Sequence, residues 1–422
     1  MALLLMIMPL MLQVPVHAQT TTAFGLSLPL LEADIENQMV EGGIPSLQAG
    51  IIINDTLVWA KGFGDQPSLD TVFRIGSITK TFTATAFLQL HEQGLVDLDA
   101  DVSDYIPFEV RNPTDPSVVI TARMLLSHRA GMTQDYDFGI PYFGNTLYEF
   151  LNDNFGESFP LWTEPRPPLE EIINSTNIAD PDLWMPSSGT LFSYSNSGFF
   201  FLSFLLEMIS NQSYFDYINE NILTPLGMSS TGLSLSEFSG RVAIPYGTLE
   251  NGSSIAFPHF EHYSYGSASL LTTVQDLSKF LIAHANNGSY NDIQLLESQS
   301  VDTMHSPISN SYGLGWESGV YEGHGGGHYG FLSGMWYNEH ESGLNGDILL
   351  VNRRDIPGEN PSFTASKNQI LSLLHQRGRD MLEWTNLTTT DQGFDLVLLG
   401  GVSVGAAAVV VAAVFILKRK QS

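Results

Sequence analysis

In the stretch FRIGSITKTF, residues 73–82, a serine and a lysine stand three residues apart: Ser77 and Lys80. On a helix that spacing is about one turn, so the two side chains share a face near the helix start. A serine hydroxyl is a weak nucleophile and needs a neighbouring base. A lysine can be that base if burial depresses its pKa and leaves the amine neutral. The same residues also fit a plain helix start, with Ser77 as N-cap and Lys80 as a solvated side chain. Lys80 is one of six lysines in the chain, two of them in the last five residues, and it alone has a serine three positions before it.

The elements that would position this pair can be read from periodicity. A helix is predicted from Ser77 to about Gln93, with Phe82, Ala86, Phe87 and Leu90 on one side and Gly94 as its stop. Before it, residues 31–41 read as a helix. LQAGIIIND and TLVWAKGFG read as two strands joined by a tight Asn-Asp turn. Further helical stretches are predicted near 121–127, 198–210, 213–222, 274–286 and 366–377. SGMWYNEH and GDILLVNRR read as a late hairpin. Residues 133–187 read as a long irregular region, rich in aromatics and prolines, that could wall a pocket. Strands at both ends with helices between them imply an α+β fold whose antiparallel sheet is closed by distant parts of the chain.

The two ends of the chain have their own chemistry. Residues 1–18 are apolar and finish in Val16-His17-Ala18, the pattern of a secretory signal peptide, although no basic residue precedes them. Residues 396–417 are uncharged and are followed by Lys418-Arg419-Lys420. That pattern predicts a transmembrane helix with a cytoplasmic tail at 418–422. The body, 25–378, is therefore expected outside the cell, on a stalk at 379–395. Gly401 and Gly405 could pack two such membrane helices into a homodimer. The same residues complete a GxSxG pattern around Ser403, but inside an apolar span that pattern carries no hydrolase meaning. No cysteine is present, so disulfides and thiolate metal sites are excluded. A net charge of −28 argues against nucleic acid as a partner. Sequons at Asn54, Asn174, Asn211, Asn251, Asn287 and Asn386 permit glycosylation.

Several motifs lie in a characteristic order. VFRIGSITKTFTATAFLQLHEQGLVDLDADV is followed by TARMLLSHRAGM, then by SGTLFSYSNSGFFFLSFLLEMIS with Tyr194-Ser195-Asn196. After INENILTPLGMSSTGL and ASLLTTVQDLSKFL comes GHGGGHYGFLSGMW. This series resembles the serine β-lactamase and penicillin-binding-protein superfamily. It is most similar to the branch holding class C β-lactamases, D-alanyl-D-alanine carboxypeptidases, D-aminopeptidases and esterases. The resemblance implies a β-lactamase/DD-peptidase-like fold with a helical subdomain and no cofactor. It also implies roles: Ser77 as acylated nucleophile, Lys80 as its base and Tyr194 as proton shuttle. Asn196 would hold substrate and orient Lys80. His324, Gly325 and Gly326 would form the third motif, and the N–H groups of Ser77 and Gly327 would bind the oxyanion.

His324 stands where the lactamases have lysine. A mostly neutral imidazole weakens a carboxylate anchor, so peptides containing D-amino acids, peptidoglycan-like amides or esters are expected before penicillins. A true β-lactamase and a non-catalytic surface-binding module of the same fold remain the alternatives. Other readings stay open at this level. His328 could head the third motif instead of His324. The two histidines could be zinc ligands, although no third ligand is evident. His128 reads as structural.

Overall fold

The computed structural model describes residues 28–136, 144–156, 168–186, 189, 191–249, 253–355 and 360–390. Ten elements carry the argument: helix α1 (Leu28–Gly42), strands β1 (Ser46–Ile53) and β2 (Thr56–Gly64), and helices α2 (Thr79–Glu92), α3 (Asn196–Ser210) and α4 (Val274–Ala285). They continue with strands β3 (Glu322–His328), β4 (Phe331–His340) and β5 (Gly343–Val351), and helix α5 (Pro361–Thr390).

The strands form one antiparallel sheet in the order β2-β1-β5-β4-β3. Its centre is the pairing of β1 with β5, in which Gly50 faces Ile348, far apart in the chain. Asn54 takes a positive φ of 53° in the β1–β2 turn, a conformation asparagine adopts more readily than most residues. On one face of the sheet α1 and α5 cover Leu47, Ala49, Ile51, Leu349 and Val351. On the other face a larger apolar core joins the sheet to the helical part through α2, α3 and α4. The α+β architecture follows from this division.

Two expectations are revised. Helix α2 is not one-sided: every residue from Thr79 to Leu90 is buried, because α3 and the short helices Tyr214–Ile218, Tyr265–Ala268 and Ser298–His305 pack around it, and Phe82 stacks on Phe280 of α4. Its threonines are accommodated by hydrogen bonds such as Thr81 Oγ1 to Ile78 O and Thr85 Oγ1 to Thr81 O. The third motif lies on a strand, Glu322–His328. Within 133–187, a helix forms at Asn145–Phe155 and buries Leu147, Tyr148 and Leu151.

Helix α5 also runs beyond residue 378. Met381 and Leu382 are buried in the second core, so the folded body takes in the first part of the expected stalk. Among the described residues no helix is long and apolar enough to cross a membrane. The leader at 1–18, the span at 396–417, the tail at 418–422 and the Gly401/Gly405 pair lie outside the described residues.

Candidate active site

The turn before α2 sets the site. Gly76 has φ of +52°, and a Cβ on it would lie 2.7 Å from the carbonyl oxygen of Gly327 in β3. Glycine is needed there for both reasons. A Cβ on Gly326 would meet the Ile75 carbonyl oxygen, which already accepts a 2.7 Å hydrogen bond from Ser333 Oγ on β4. Edge strand β3 is thereby pressed against the nucleophile turn.

Ser77 does not serve as the N-cap. Ile78 occupies the cap position of α2, and no side chain caps it. Ser77 is instead the one residue between Thr71 and Lys80 that is not buried. Its hydroxyl is free for chemistry at the mouth of an otherwise closed turn.

Lys80 is fully buried, and its Nζ has three partners. It donates to Asn196 Oδ1 at 2.7 Å and to the Ser267 carbonyl at 2.8 Å, and it lies 3.2 Å from Ser77 Oγ. Burial pulls its pKa down from the ordinary lysine value to about 7, with Asp135 pulling weakly the other way. A neutral amine has two N–H bonds and one lone pair. The two short contacts accept both N–H bonds, which leaves the lone pair for Ser77.

Asn196 opens α3 and is held from its other side, donating from Nδ2 to Asp135 Oδ1 at 2.8 Å. Tyr194 hydrogen-bonds Ser77, and Lys80 Nζ lies 5.0 Å from its ring centre. Burial pushes the Tyr194 pKa upward, so its hydroxyl keeps its proton at neutral pH. With Lys80 poised near 7, acylation should rise with pH through about 7 as the amine loses its proton. A rate profile flat between pH 6 and 8 would contradict that state of Lys80.

The third motif takes a different part from the one its residue types suggest. His324 is 2% exposed. His128 Nδ1 accepts from the Ser195 N–H at 3.0 Å, so its Nε2 carries the proton and donates to Tyr312 Oη at 3.2 Å. Tyr312 in turn donates to His324 Nε2 at 3.0 Å, and His324 Nδ1 donates to the Gly325 carbonyl. Both nitrogens of His324 are therefore used inside the protein. Burial holds its pKa down near 3, and the ring is neutral. Its side chain faces the Tyr312–His128 chain rather than a substrate.

What β3 offers the site is its backbone. Gly323 exchanges both backbone hydrogen bonds with Glu317, at 3.0 and 2.9 Å, so its polar groups point away from β4. Strand alternation turns those of Gly325 and Gly327 the same way, and the Gly327 N–H faces the turn at Ser77. His324 and His328 stand about 13 Å apart along β3, too far to share a metal. His328 packs on Phe260 and His262 instead. Among the described residues no group of three or more His, Asp or Glu side chains could hold an ion.

Sequence reasoning missed four partners. Ser267 acts through its carbonyl and Tyr312 lies outside every motif. Asp135 sits in the region read as irregular, and Glu317 is one of 45 acidic residues with no local mark.

The β-lactamase family model matches residues 31–353. The chain belongs to the β-lactamase family. It is 30% identical over 287 residues to β-lactamase-like protein 2 of Dictyostelium discoideum, covering 65% of this chain and 48% of that protein. To protein flp of Staphylococcus aureus strain N315 it is 26% identical over 294 residues, covering 67% and 54%. The chain thus spans about half the length of these relatives. Among solved structures, the octameric penicillin-binding protein homologue from Pyrococcus abyssi superposes with a TM-score of 0.63 at 26% identity, over 82% of this chain and 78% of that one. The D-amino acid amidase from Ochrobactrum anthropi SV3, complexed with L-phenylalanine amide, gives 0.63 at 20% identity, over 83% and 99%. These likenesses establish the β-lactamase/penicillin-binding-protein-like fold.

Proposed function

We propose that this protein is a serine hydrolase that works through an acyl-enzyme on peptide-like amides or esters. The observation that carries the reading is the fully buried Lys80, its amine poised near neutrality and in contact with Ser77 Oγ. In the first half-reaction Lys80 takes the Ser77 proton as Oγ bonds to the substrate carbonyl carbon. The carbonyl oxygen becomes an anion held by the N–H groups of Ser77 and Gly327, an arrangement worth about 10²–10³ in rate per donor. Tyr194 gives its proton to the leaving amine or alcohol as the scissile bond breaks, and regains one from the Ser77–Lys80 side. Water then attacks the acyl-Ser77 ester by the same proton path in reverse, releasing the acid. Asn196 keeps the Lys80 amine aimed throughout.

The names of the neighbours support this class: one is a penicillin-binding protein homologue and another acts on D-amino acid amides. D-amino-acid-containing peptides and peptidoglycan-like amides are therefore the first substrates to test. A β-lactamase proper is less well supported, because His324 stands at the lysine position and is turned inward. The apolar leader and the C-terminal span with its basic stop support an extracellular body tethered by one membrane helix, with Gly401 and Gly405 available for pairing.

The test is covalent. A fluorophosphonate probe should label the full chain once, with the adduct mapped by peptide mass to the Ser77 peptide. A folded protein that stays unlabelled would favour the non-catalytic binding module.

A further inference from the structure

The outward edge of β3 presents N–H groups at Gly323, Gly325 and Gly327, each about 7 Å from the next. The first is taken by the Glu317 backbone and the third faces Ser77. The middle one is taken by the Glu317 carboxylate, which accepts a hydrogen bond from the Gly325 N–H. That carboxylate is 45% exposed, and its nearest basic group is His324 Nδ1 at 3.9 Å, on a ring that is neutral. Among the described residues no lysine or arginine pairs with it. Its backbone bridges to Tyr312, whose ring centre lies 5.0 Å from that of His128, and His128 packs on Tyr194 at 4.2 Å, so Glu317 stands on the Tyr194 side of the site. The Arg354 guanidinium lies against Gly327, two residues along β3 from Gly325: a Cβ there would be 2.7 Å from Nη1. Among the described residues Arg354 has no side-chain hydrogen bond or ion pair.

We propose that Glu317 is a specificity residue that selects a leaving group bearing a cationic centre and rejects one bearing a carboxylate. The proposal rests on the acyl-enzyme reading above, in which Tyr194 protonates the leaving group. A substrate carbonyl seated between Ser77 and Gly327 extends its leaving group toward Tyr194 and hence toward Gly325. There it meets an anion that already occupies the one N–H able to receive a carboxylate. A C-terminal amino acid or a penicillin would bring its carboxylate into repulsion with Glu317 at Gly325, whereas the unpaired Arg354 cation lies two residues along β3, at Gly327. An ammonium or a strong hydrogen-bond donor in the same place is attracted.

The experiment uses three aryl esters of one acyl group, whose phenols carry a meta-trimethylammonium, no charge, or a meta-carboxylate. Phenol release and the mass of acyl-Ser77 are measured on the full chain. At about 7 Å and an effective dielectric of 20 or more, the cationic ester should exceed the anionic one in kcat/KM by about tenfold or more. The ratio should shrink with added salt and fall toward one in Glu317→Gln. Equal rates for the two charged esters, or a ratio that survives Glu317→Gln, overturns the assignment. Failure of the neutral ester to acylate Ser77, together with no fluorophosphonate adduct, sinks the hydrolase reading instead. Should Glu317→Gln fold poorly, Glu317→Asp keeps the charge and must keep the sign of the preference.

Discussion

Replacing Lys80 by methionine is expected to slow acylation of Ser77 by about 10²- to 10⁴-fold, the range lost when a general base is removed. Methionine keeps an unbranched apolar stem in a fully buried position, so loss of packing is kept small and the rate reports the amine. The time course of fluorophosphonate labelling measures it, with circular dichroism as the check on folding. Labelling at near the wild-type rate would remove Lys80 from the base role. The rise of activity through about pH 7 should vanish in the variant, because the group that titrates is gone.

The same substitution has a second signature in stability. The unfolded chain holds the Lys80 proton up to about pH 10.5, whereas the folded chain releases it near 7. Between those values the unfolded state binds more protons, so this group's contribution to folding grows as pH rises. A shift of that size is on the order of 5 kcal/mol across the window. Denaturation midpoints of wild type and Lys80→Met, compared at pH 7 and pH 10, should therefore move in the wild type's favour at the higher pH. A difference independent of pH would mean that the buried amine is not poised as its surroundings dictate. Holding an uncharged amine in the interior costs stability at neutral pH, and the base role gives a reason to retain it.

Gly326→Ala carries the second large effect. The new methyl group would press on the Ile75 carbonyl oxygen and on Ser333 Oγ, the two ends of the bond tying β4 to the nucleophile turn. Neither neighbour is the far end of a flexible chain. The strand must shift away from Ser77, carrying the Gly327 N–H with it. Loss of one oxyanion donor costs about 10²–10³ in rate. Overpacking of this kind costs about 1–3 kcal/mol in stability. Both should appear together, as slower labelling and a lower denaturation midpoint. A variant that is destabilised but labels at the wild-type rate would mean that Gly327 does not line the oxyanion site.

Much of the scaffold was legible because its signals are local. The β1–β2 hairpin has an Asn-Asp turn that tolerates positive φ, and the start of α2 is marked by Gly76 and its end by Gly94, both at positive φ. The helix at Asn145–Phe155 had a legible signal too: Leu147, Tyr148 and Leu151 recur on one face, but the prolines and aromatics around them obscured it. Strand β3 had none. A run of glycines has little strand preference, and it is extended only because β4 supplies a partner for each residue from Glu322 to His328.

The same division holds at the site. The sequence alone determined which residue types were available and in what order: a serine and a lysine one turn apart, a tyrosine and an asparagine two residues apart, and a late run of glycines after His324. Those properties reside in single side chains and short spacings, which no packing is needed to read. Only the tertiary structure decided what each of them meets. Lys80 becomes a base because Asn196, 116 residues away, and Ser267, 187 residues away, take its N–H bonds in a space closed to water. His324, the residue whose type pointed to the substrate, is turned inward by Tyr312. Glu317, anonymous among the acidic residues, is left facing Gly325 where a leaving group would lie. Burial and hydrogen-bond competition across long separations set these outcomes, and neither is a property of any short stretch of chain.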